Sequence, residues 1–276
     1  LTEDIEGFPS RSVTDTMTVT VGETVVDGPT AADTAAAITK FAQTRMNSLI
    51  DLQPDLLSVI GGGANVSVST RGGIVDVATS PSQNVWLRLR GNWSTLTGTK
   101  NDYVLGAVGA HTQVSDHVTL GAMLQFDHMA SVNGAETLSA NGFLAGPYVI
   151  ATLPDKSITF DGRLLFGTAS NTFAPLGTFV DRFDSQRLLA QFGVTGEINQ
   201  GRVTWAPSLR ASLAQEKTAA YTDGVGTAIG ATDTRLGQIA GGIEGRFALP
   251  APSGKLTATL GLFDVWTGGS GDLQGH

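Results

Sequence analysis

The sequence predicts an all-β protein: an antiparallel up-and-down transmembrane β-barrel with an N-terminal helix lying in its pore. Three observations point there. From Asn84 onward, segments of about ten residues alternate apolar and polar side chains, longer than the ~5–6 residues of an ordinary strand. The turns joining these segments read as alternately short and long. Upstream of them lies a helical segment about as long as a bilayer is thick, yet too polar to rest in lipid.

Composition narrows the functional classes. Only 15% of residues are charged, the formal net charge is −8, and Cys is absent. No Lys/Arg cluster is available to neutralise phosphates, which argues against a nucleic-acid partner. The lack of Cys excludes a disulfide framework and a thiolate metal site. No run of about 18 apolar residues occurs, so a membrane crossing would have to be made by strands closed into a barrel. The opening "LTEDIEGFPS" has neither an initiating Met nor a basic and apolar signal segment, and reads as the interior of a longer polypeptide.

Residues 1–28 carry six acids (Glu3, Asp4, Glu6, Asp15, Glu23, Asp27) against Arg11 alone. Within them "DTMTVTVGETVV" alternates like a strand, so this stretch reads as the end of a preceding β domain. Residues 29–54 change character. Thr30 and Asp33 form a capping-box pattern behind Pro29, Ala-rich helix formers follow, and Pro54 stops the run. A helix of about 22 residues would be roughly 33 Å long. Ile38, Phe41, Ala42, Leu49 and Leu52 form an apolar stripe, while Lys40, Gln43, Thr44, Arg45, Asn47 and Asp51 cover much of the rest. Such a helix needs either a protein groove with water beyond it or the wet lumen of a barrel. Residues 55–83 are Gly/Ser-rich with two short alternating pieces, and read as a loose connector.

Residues 84–276 hold about nine candidate strands, centred on "VWLRLRG", "DYVLGAVGAHTQV", "HVTLGAMLQFDH", "NGFLAGPYVIATL", "ITFDGRLLFG", "RLLAQFGVTGEI", "VTWAPSLRASLA", "TRLGQIAGGIEGRFAL" and "LTATLGLFDVW". "SDH", "PDKS", "NQGR" and "PAPSGK" are tight turns between them. "NWSTLTGTKN", the region around "MASVNGAE", "TASNTFAPLGTFVDRFDS" and "QEKTAAYTDGVGTAIGATD" read as long polar loops. Short turns at one end and long loops at the other fit a membrane barrel.

A soluble β-sandwich produces the same period, because one face of each of its sheets is also apolar. Strand length favours the barrel, as does a polar face rich in Gly, Thr and Ala rather than Lys and Glu. In that reading Val118, Leu120, Leu124, Phe126, Phe160, Leu164, Leu209 and Leu260 face lipid. Arg88, Arg90, Gln125, Asp161, Arg163, Glu197, Arg210 and Glu244 face the lumen, with Asp127 and Arg246. This polar set either lines a channel constriction or docks a helix that presents Lys40, Phe41, Arg45, Asn47, Leu49 and Asp51. Trp86, Trp93, Tyr103, Phe126, Trp205, Phe247 and Trp266 lie near strand ends and suggest a thin aromatic girdle.

Residues with catalytic potential are sparse. His111, His117 and His128 include two with a neighbouring acid ("SDH", "FDH"), but no His-x3-His or His-Glu pair occurs, nor a Gly-x-Ser-x-Gly elbow. "GGGAN" lacks the Gly-Lys-Ser/Thr ending of a phosphate loop. No catalytic, cofactor or metal site is expected; His117 and His128 read as the two ends of one membrane crossing.

The order of these parts resembles the C-terminal translocator domain of Gram-negative autotransporters, the type V secretion family. The likeness runs from about residue 12 to the end, through "KFAQTRMNSLIDLQPDL", "GGGANVSVSTRGG", "NVWLRLRGNWS" and "DYVLGAVGAHTQVSDHVTLGAMLQFDH". It implies a twelve-stranded barrel in the bacterial outer membrane, in contact with its lipid, with the helix threaded through the pore. That helix would join an upstream passenger, which is displayed at the cell surface or secreted, and of which residues 1–28 would be the end. The resemblance also implies the barrel assembly machinery as a partner and no enzymatic activity. The chain departs from the pattern in its strand count and in ending "WTGGSGDLQGH", which suggests a barrel incomplete at its C-terminus. The alternatives are a soluble secreted β-sandwich adhesin or binding module, and a porin-like channel.

Overall fold

The computed structural model describes residues 29–60, 65–71, 74–80, 84–96, 98–154, 157–175, 179–251, 254–270 and 273–275. Residues 1–28, read above as the end of another domain, lie outside the described residues. Helix α1 (Ala31–Asp51) starts at the expected capping box: the Asp33 amide donates to Thr30 Oγ1 at 3.2 Å and the Thr30 amide donates to Asp33 Oδ2 at 3.1 Å. It ends at Leu52, just before Pro54, and the short helix α2 (Leu56–Ile60) follows.

The strands in order are β1 (Asn65–Arg71), β2 (Ile74–Ser80), β3 (Val85–Leu96), β4 (Thr99–Ser115), β5 (Val118–Asn133), β6 (Glu136–Thr152), β7 (Ile158–Ala174), β8 (Asp181–Gly196), β9 (Ile198–Gln200), β10 (Val203–Thr218), β11 (Tyr221–Thr222), β12 (Ala228–Ile229), β13 (Thr232–Ala251), β14 (Gly254–Gly269) and β15 (Leu273–Gly275). One antiparallel meander runs β1-β2-β3-β4-β5-β6-β7-β8-β10-β13-β14-β15, with β9 paired to β10 and β11–β12 forming a separate small hairpin. The nine segments expected from the alternation are β3 to β8, β10, β13 and β14. Helix α1 touches β4, β5, β10 and β13, so the sheet curls around it; among the described residues β1 and β15 do not pair with each other.

Two features differ from the sequence reading. Residues 55–83 are not a loose connector: α2 lies within them, and β1 and β2 form a hairpin that extends the sheet from β3. The alternating "NVSVSTR" and "IVDVATS" carry this strand signal, diluted by the surrounding glycines. Two of the expected long loops are instead strand extensions. "NWSTLTGTKN" and "MASVNGAE" stay paired up to tight turns at Gly98 (φ +82°) and Gly134 (φ +61°), where a left-handed backbone suits glycine. Longer connections remain between β7 and β8 and between β10 and β13, both at this same end of the sheet.

Burial along the strands is inverted relative to a soluble protein. In β5, Leu124 (42% exposed) and Phe126 (56%) point away from α1, while Gln125 (0%) and Asp127 (5%) are buried toward it. The register carries this phase across the sheet: Phe126 lies opposite Phe143, Leu164 opposite Ala190, and Leu213 opposite Gly237. A sandwich would put such side chains between its layers; here they form a continuous exposed belt around the convex face.

The concave face is packed as well as polar. The Trp86 indole lies over Gly109 and the Tyr148 ring over Gly121, positions where an added Cβ would collide with the ring. Trp86 Nε1 donates to the Tyr148 hydroxyl at 2.9 Å, and His111 Nδ1 is 3.0 Å from the same oxygen. Trp86 and Tyr103, expected in an outer girdle, are therefore interior residues, out of phase with exposed Val85 and Leu87 and half-buried Val104 on the belt. Trp93, Phe126 and Trp266 are on the exposed face. Gly109→Val and Gly121→Val should each destabilise the folded barrel by roughly 1–3 kcal/mol through overpacking. Gly106→Ala, whose Cβ would meet Leu89 Cδ1 at 3.8 Å, should be neutral. The temperature at which the compact gel band converts to the unfolded one measures all three.

Candidate functional site

The site is the contact between α1 and the concave wall. Ile38, Phe41, Ala42, Leu49 and Leu52 are buried there as the apolar stripe requires, and Arg45, which falls in the middle of that stripe, is buried with them at 0% exposure. A buried guanidinium needs compensating charge. Arg45 Nε donates to Asp127 Oδ2 on β5 at 2.8 Å, and Arg45 Nη1 lies 3.5 Å from Glu216 Oε1 on β10. Arg187 on β8 completes a square of two cations and two anions: its Nη1 donates to Asp127 Oδ1, and its Nε lies 3.5 Å from Glu216 Oε2. Ser185 Oγ donates to Glu216 Oε1 at 2.7 Å, and Asn171 Nδ2 donates to Ser185 Oγ at 3.1 Å. Gly142 gives this cluster its space, since a Cβ there would meet Arg187, Arg45 and Asp127 at once.

A second anchor holds the end of the helix. Gln53 and Gln125 pair through both amides, at 3.1 and 2.8 Å. Arg163 Nη1 donates to Gln53 Oε1 at 3.0 Å and Arg163 Nη2 to the Pro54 carbonyl at 2.8 Å, while Arg90 Nη1 donates to the Gln53 carbonyl at 3.0 Å. The last turn of α1 contains no basic residue of its own, so these wall arginines supply the positive charge its C-terminal dipole favours. Asp76 on β2 holds both neighbours in place, accepting from Arg88 Nη2 at 2.7 Å and from Arg90 Nη2 at 2.9 Å.

The other residues singled out in the sequence are placed as follows. Asp161 is buried on the concave face, 3.9 Å from Arg163, with Gly193 clearing its space; Arg210 and Glu244 are half-buried on that face, Glu244 accepting from Arg246 Nε at 2.7 Å. Glu197, expected on the lumen side, is instead exposed in the turn after β8, because the strand ends at Gly196. On the helix, Asp51 Oδ1 accepts from Gln238 Nε2 at 3.1 Å and Asn47 is half-buried. Lys40 is exposed and forms no ion pair among the described residues. Leu120, Leu124, Phe126, Leu164, Leu209 and Leu260 are exposed on the convex face, with Val118 and Phe160 half-buried there. His128 is also on that face, 2.9 Å from Asn141 Oδ1; β5 continues past it to Asn133, so it marks the edge of the apolar belt and not the end of the strand.

Arg187, Glu216 and Gln53 were not anticipated as site residues. Glu216 sits in "QEKT", which reads as loop, and Arg187 at the assumed start of its strand. The central position of Arg45 in an otherwise apolar stripe was the available signal.

Residues 85–267, well over half of the chain, match the family profile described as Autotransporter beta-domain. The chain belongs to the autotransporter β-domain family. Its structure is similar to that of the β domain of the Bordetella autotransporter BrkA, with a TM-score of 0.56 and 13% identity over 70% of this chain and 81% of that one. It is less similar to P. aeruginosa FpvA, with a TM-score of 0.39 and 9% identity over 74% of this chain and 36% of that one. The ferric preacinetobactin receptor BauA of Acinetobacter baumannii gives a TM-score of 0.36 and 12% identity over 74% of this chain and 41% of that one. No curated protein sequence matches the chain. As a member of this family the chain is an outer-membrane β-barrel translocator domain, a transport module of the bacterial outer membrane.

Removing one member of a buried charge square leaves its partners uncompensated, at a cost of about 3–5 kcal/mol. Arg45→Met should therefore loosen α1 from the wall and make it sensitive to added protease at concentrations that leave the parent intact, whereas Lys40→Gln should not. Proteolysis of the folded, detergent-purified chain followed by mass spectrometry checks both.

Proposed function

We propose that this domain exports an upstream passenger across the outer membrane and then anchors it there, with residues 29–54 as the linker inside the pore and the sheet from β1 onward as the barrel wall. One observation carries the reading: the direction of α1. Its Arg45 meets Asp127, and Gln53, farther along, meets Gln125, two residues closer to the Asp116–His117 turn end of β5. Helix α1 also lies against β12, in the long connection between β10 and β13. The helix therefore runs from the loop end of the barrel to the turn end. Barrels of this kind put long loops outside and short turns in the periplasm, so whatever precedes Pro29 emerges at the cell surface.

The remaining assignments extend this reading. The exposed belt of Leu120, Leu124, Phe126, Leu164, Leu209 and Leu260 meets outer-membrane lipid, and Gln125, Asp127, Asp161 and Arg163 belong to the lumen. The passenger is the linker's covalent partner, and the barrel assembly machinery inserts the wall. The work is done by threading and docking, without catalysis. A porin-like channel would leave the helix dispensable, which supplies the test. Deleting residues 31–53 from the full-length protein should sharply lower passenger exposure on intact cells, read by antibody or protease accessibility, while the barrel still shows its heat-dependent gel shift. Undiminished exposure would refute the linker role.

A further inference from the structure

Arg163 gives both of its terminal nitrogens to the helix end, Nη1 to Gln53 Oε1 at 3.0 Å and Nη2 to the Pro54 carbonyl at 2.8 Å. Both acceptors are neutral, and the carboxylate beside it on the same strand is left aside: Asp161 lies 3.9 Å from Nη2, beyond hydrogen-bond reach. Neither oxygen of Asp161 accepts a hydrogen bond among the described residues, although the residue is only 1% exposed. Arg210, which shares a row of the sheet with Asp161 across Gly193, makes no ion pair with it among the described residues either. A carboxylate buried without a donor is costly, so something else in the docked arrangement must hold Arg163 away from it.

The same sheet shows what such a pair does where no helix oxygen competes. An acid and an arginine two residues further on share one face of a strand, with Cα atoms about 6.7 Å apart, within reach of the long side chain. On β13, Asp233 accepts from Arg235 Nη2 at 2.9 Å and Glu244 accepts from Arg246 Nε at 2.7 Å. Asp161 and Arg163 have this spacing on β7, yet stay apart. Arg90, the other arginine of the clasp, gives only Nη1 to the Gln53 carbonyl and keeps Asp76 at 2.9 Å through Nη2. Arg163 differs in having both Nη groups drawn to Gln53 and Pro54.

We propose that Arg163 exchanges partners as the helix docks: in a lumen without the helix end it pairs with Asp161, and docking transfers its two Nη groups to Gln53 and Pro54. This rests on residues 29–54 entering a wall already formed, as in the linker reading above. Asp161 is then a positioning residue that holds the guanidinium on the wall until the helix end arrives, and it competes with the clasp afterwards. The full-length protein in detergent is compared with Asp161→Asn, Arg163→Gln and the double variant by hydrogen–deuterium exchange and mass spectrometry of peptides from residues 46–53. Removing the competitor should slow exchange there by roughly threefold or more, the size of one net hydrogen bond, whereas Arg163→Gln should speed it. Asp161→Asn should add nothing once Arg163 is replaced, and Asp161→Glu, which keeps the charge, should stay near the parental rate. Folding is checked by the heat-dependent gel shift, and Asp161→Ser is read in the same way in place of an Asp161→Asn variant that does not fold. Faster or unchanged exchange in the folded Asp161 variant, or equal slowing in the Arg163→Gln background, would overturn the partner exchange. A parent whose residues 46–53 exchange as fast as an unstructured peptide would instead sink the docked-linker reading beneath it.

Discussion

Arg45 couples the helix to the wall, and the phase of the whole sheet follows from how it is paired. A guanidinium with no exposed surface must find carboxylates, and it finds Asp127 and Glu216, which Arg187 links from the opposite side. Side chains alternate along a strand, so turning Asp127, Arg187 and Glu216 inward turns Phe126, Leu188 and Lys217 outward. Antiparallel register then passes the same phase to β4, β6, β7 and β13. A charged interior and an apolar exterior are two consequences of one constraint. Such an object is stable only where the exterior meets lipid and the interior is filled or wet.

One anchor would leave the helix free to pivot. The second, at Gln53 and Pro54, lies eight residues on, about 12 Å along the axis. The amide pair with Gln125 and the clasp of Arg163 and Arg90 fix the helix against both rotation and sliding. Small residues matter as much as charged ones. Gly142 admits the charge square, Gly193 admits Asp161, and Gly109 and Gly121 admit Trp86 and Tyr148. Part of the chain's glycine content therefore reflects a crowded lumen as well as turns.

Much of this was legible in the sequence, for identifiable reasons. Alternation sustained over ten or more residues marks a strand of any architecture, and it located all nine long ones; the Thr30–Asp33 box and Pro54 bounded the helix. The same alternation assigned the faces of β5 residue by residue. What failed was local composition read too literally. Glycine-rich flanks hid the β1–β2 hairpin, and the polar tips "NWSTLTGTKN" and "MASVNGAE" read as loops although both extend as paired strands. Side-chain partners were least accessible. Lys40 and Arg45 carry the same charge on the same helix, and which of them meets the wall depends on helix rotation, a long-range property. Only the surrounding Phe41, Ala42 and Leu49 mark Arg45 as the inward one.

The central claim is the inverted phase: apolar side chains toward lipid and polar side chains toward the helix. The chain contains no native Cys, so single cysteines can be placed at each position from 118 to 128 and spin-labelled. In liposome-reconstituted protein, positions 120, 122, 124 and 126 should show high accessibility to oxygen and low accessibility to a water-soluble nickel chelate. Positions 123, 125 and 127 should be poorly accessible to both. Greater access of the chelate than of oxygen at 120, 122, 124 and 126 would mean that this face is in water, and would contradict the account.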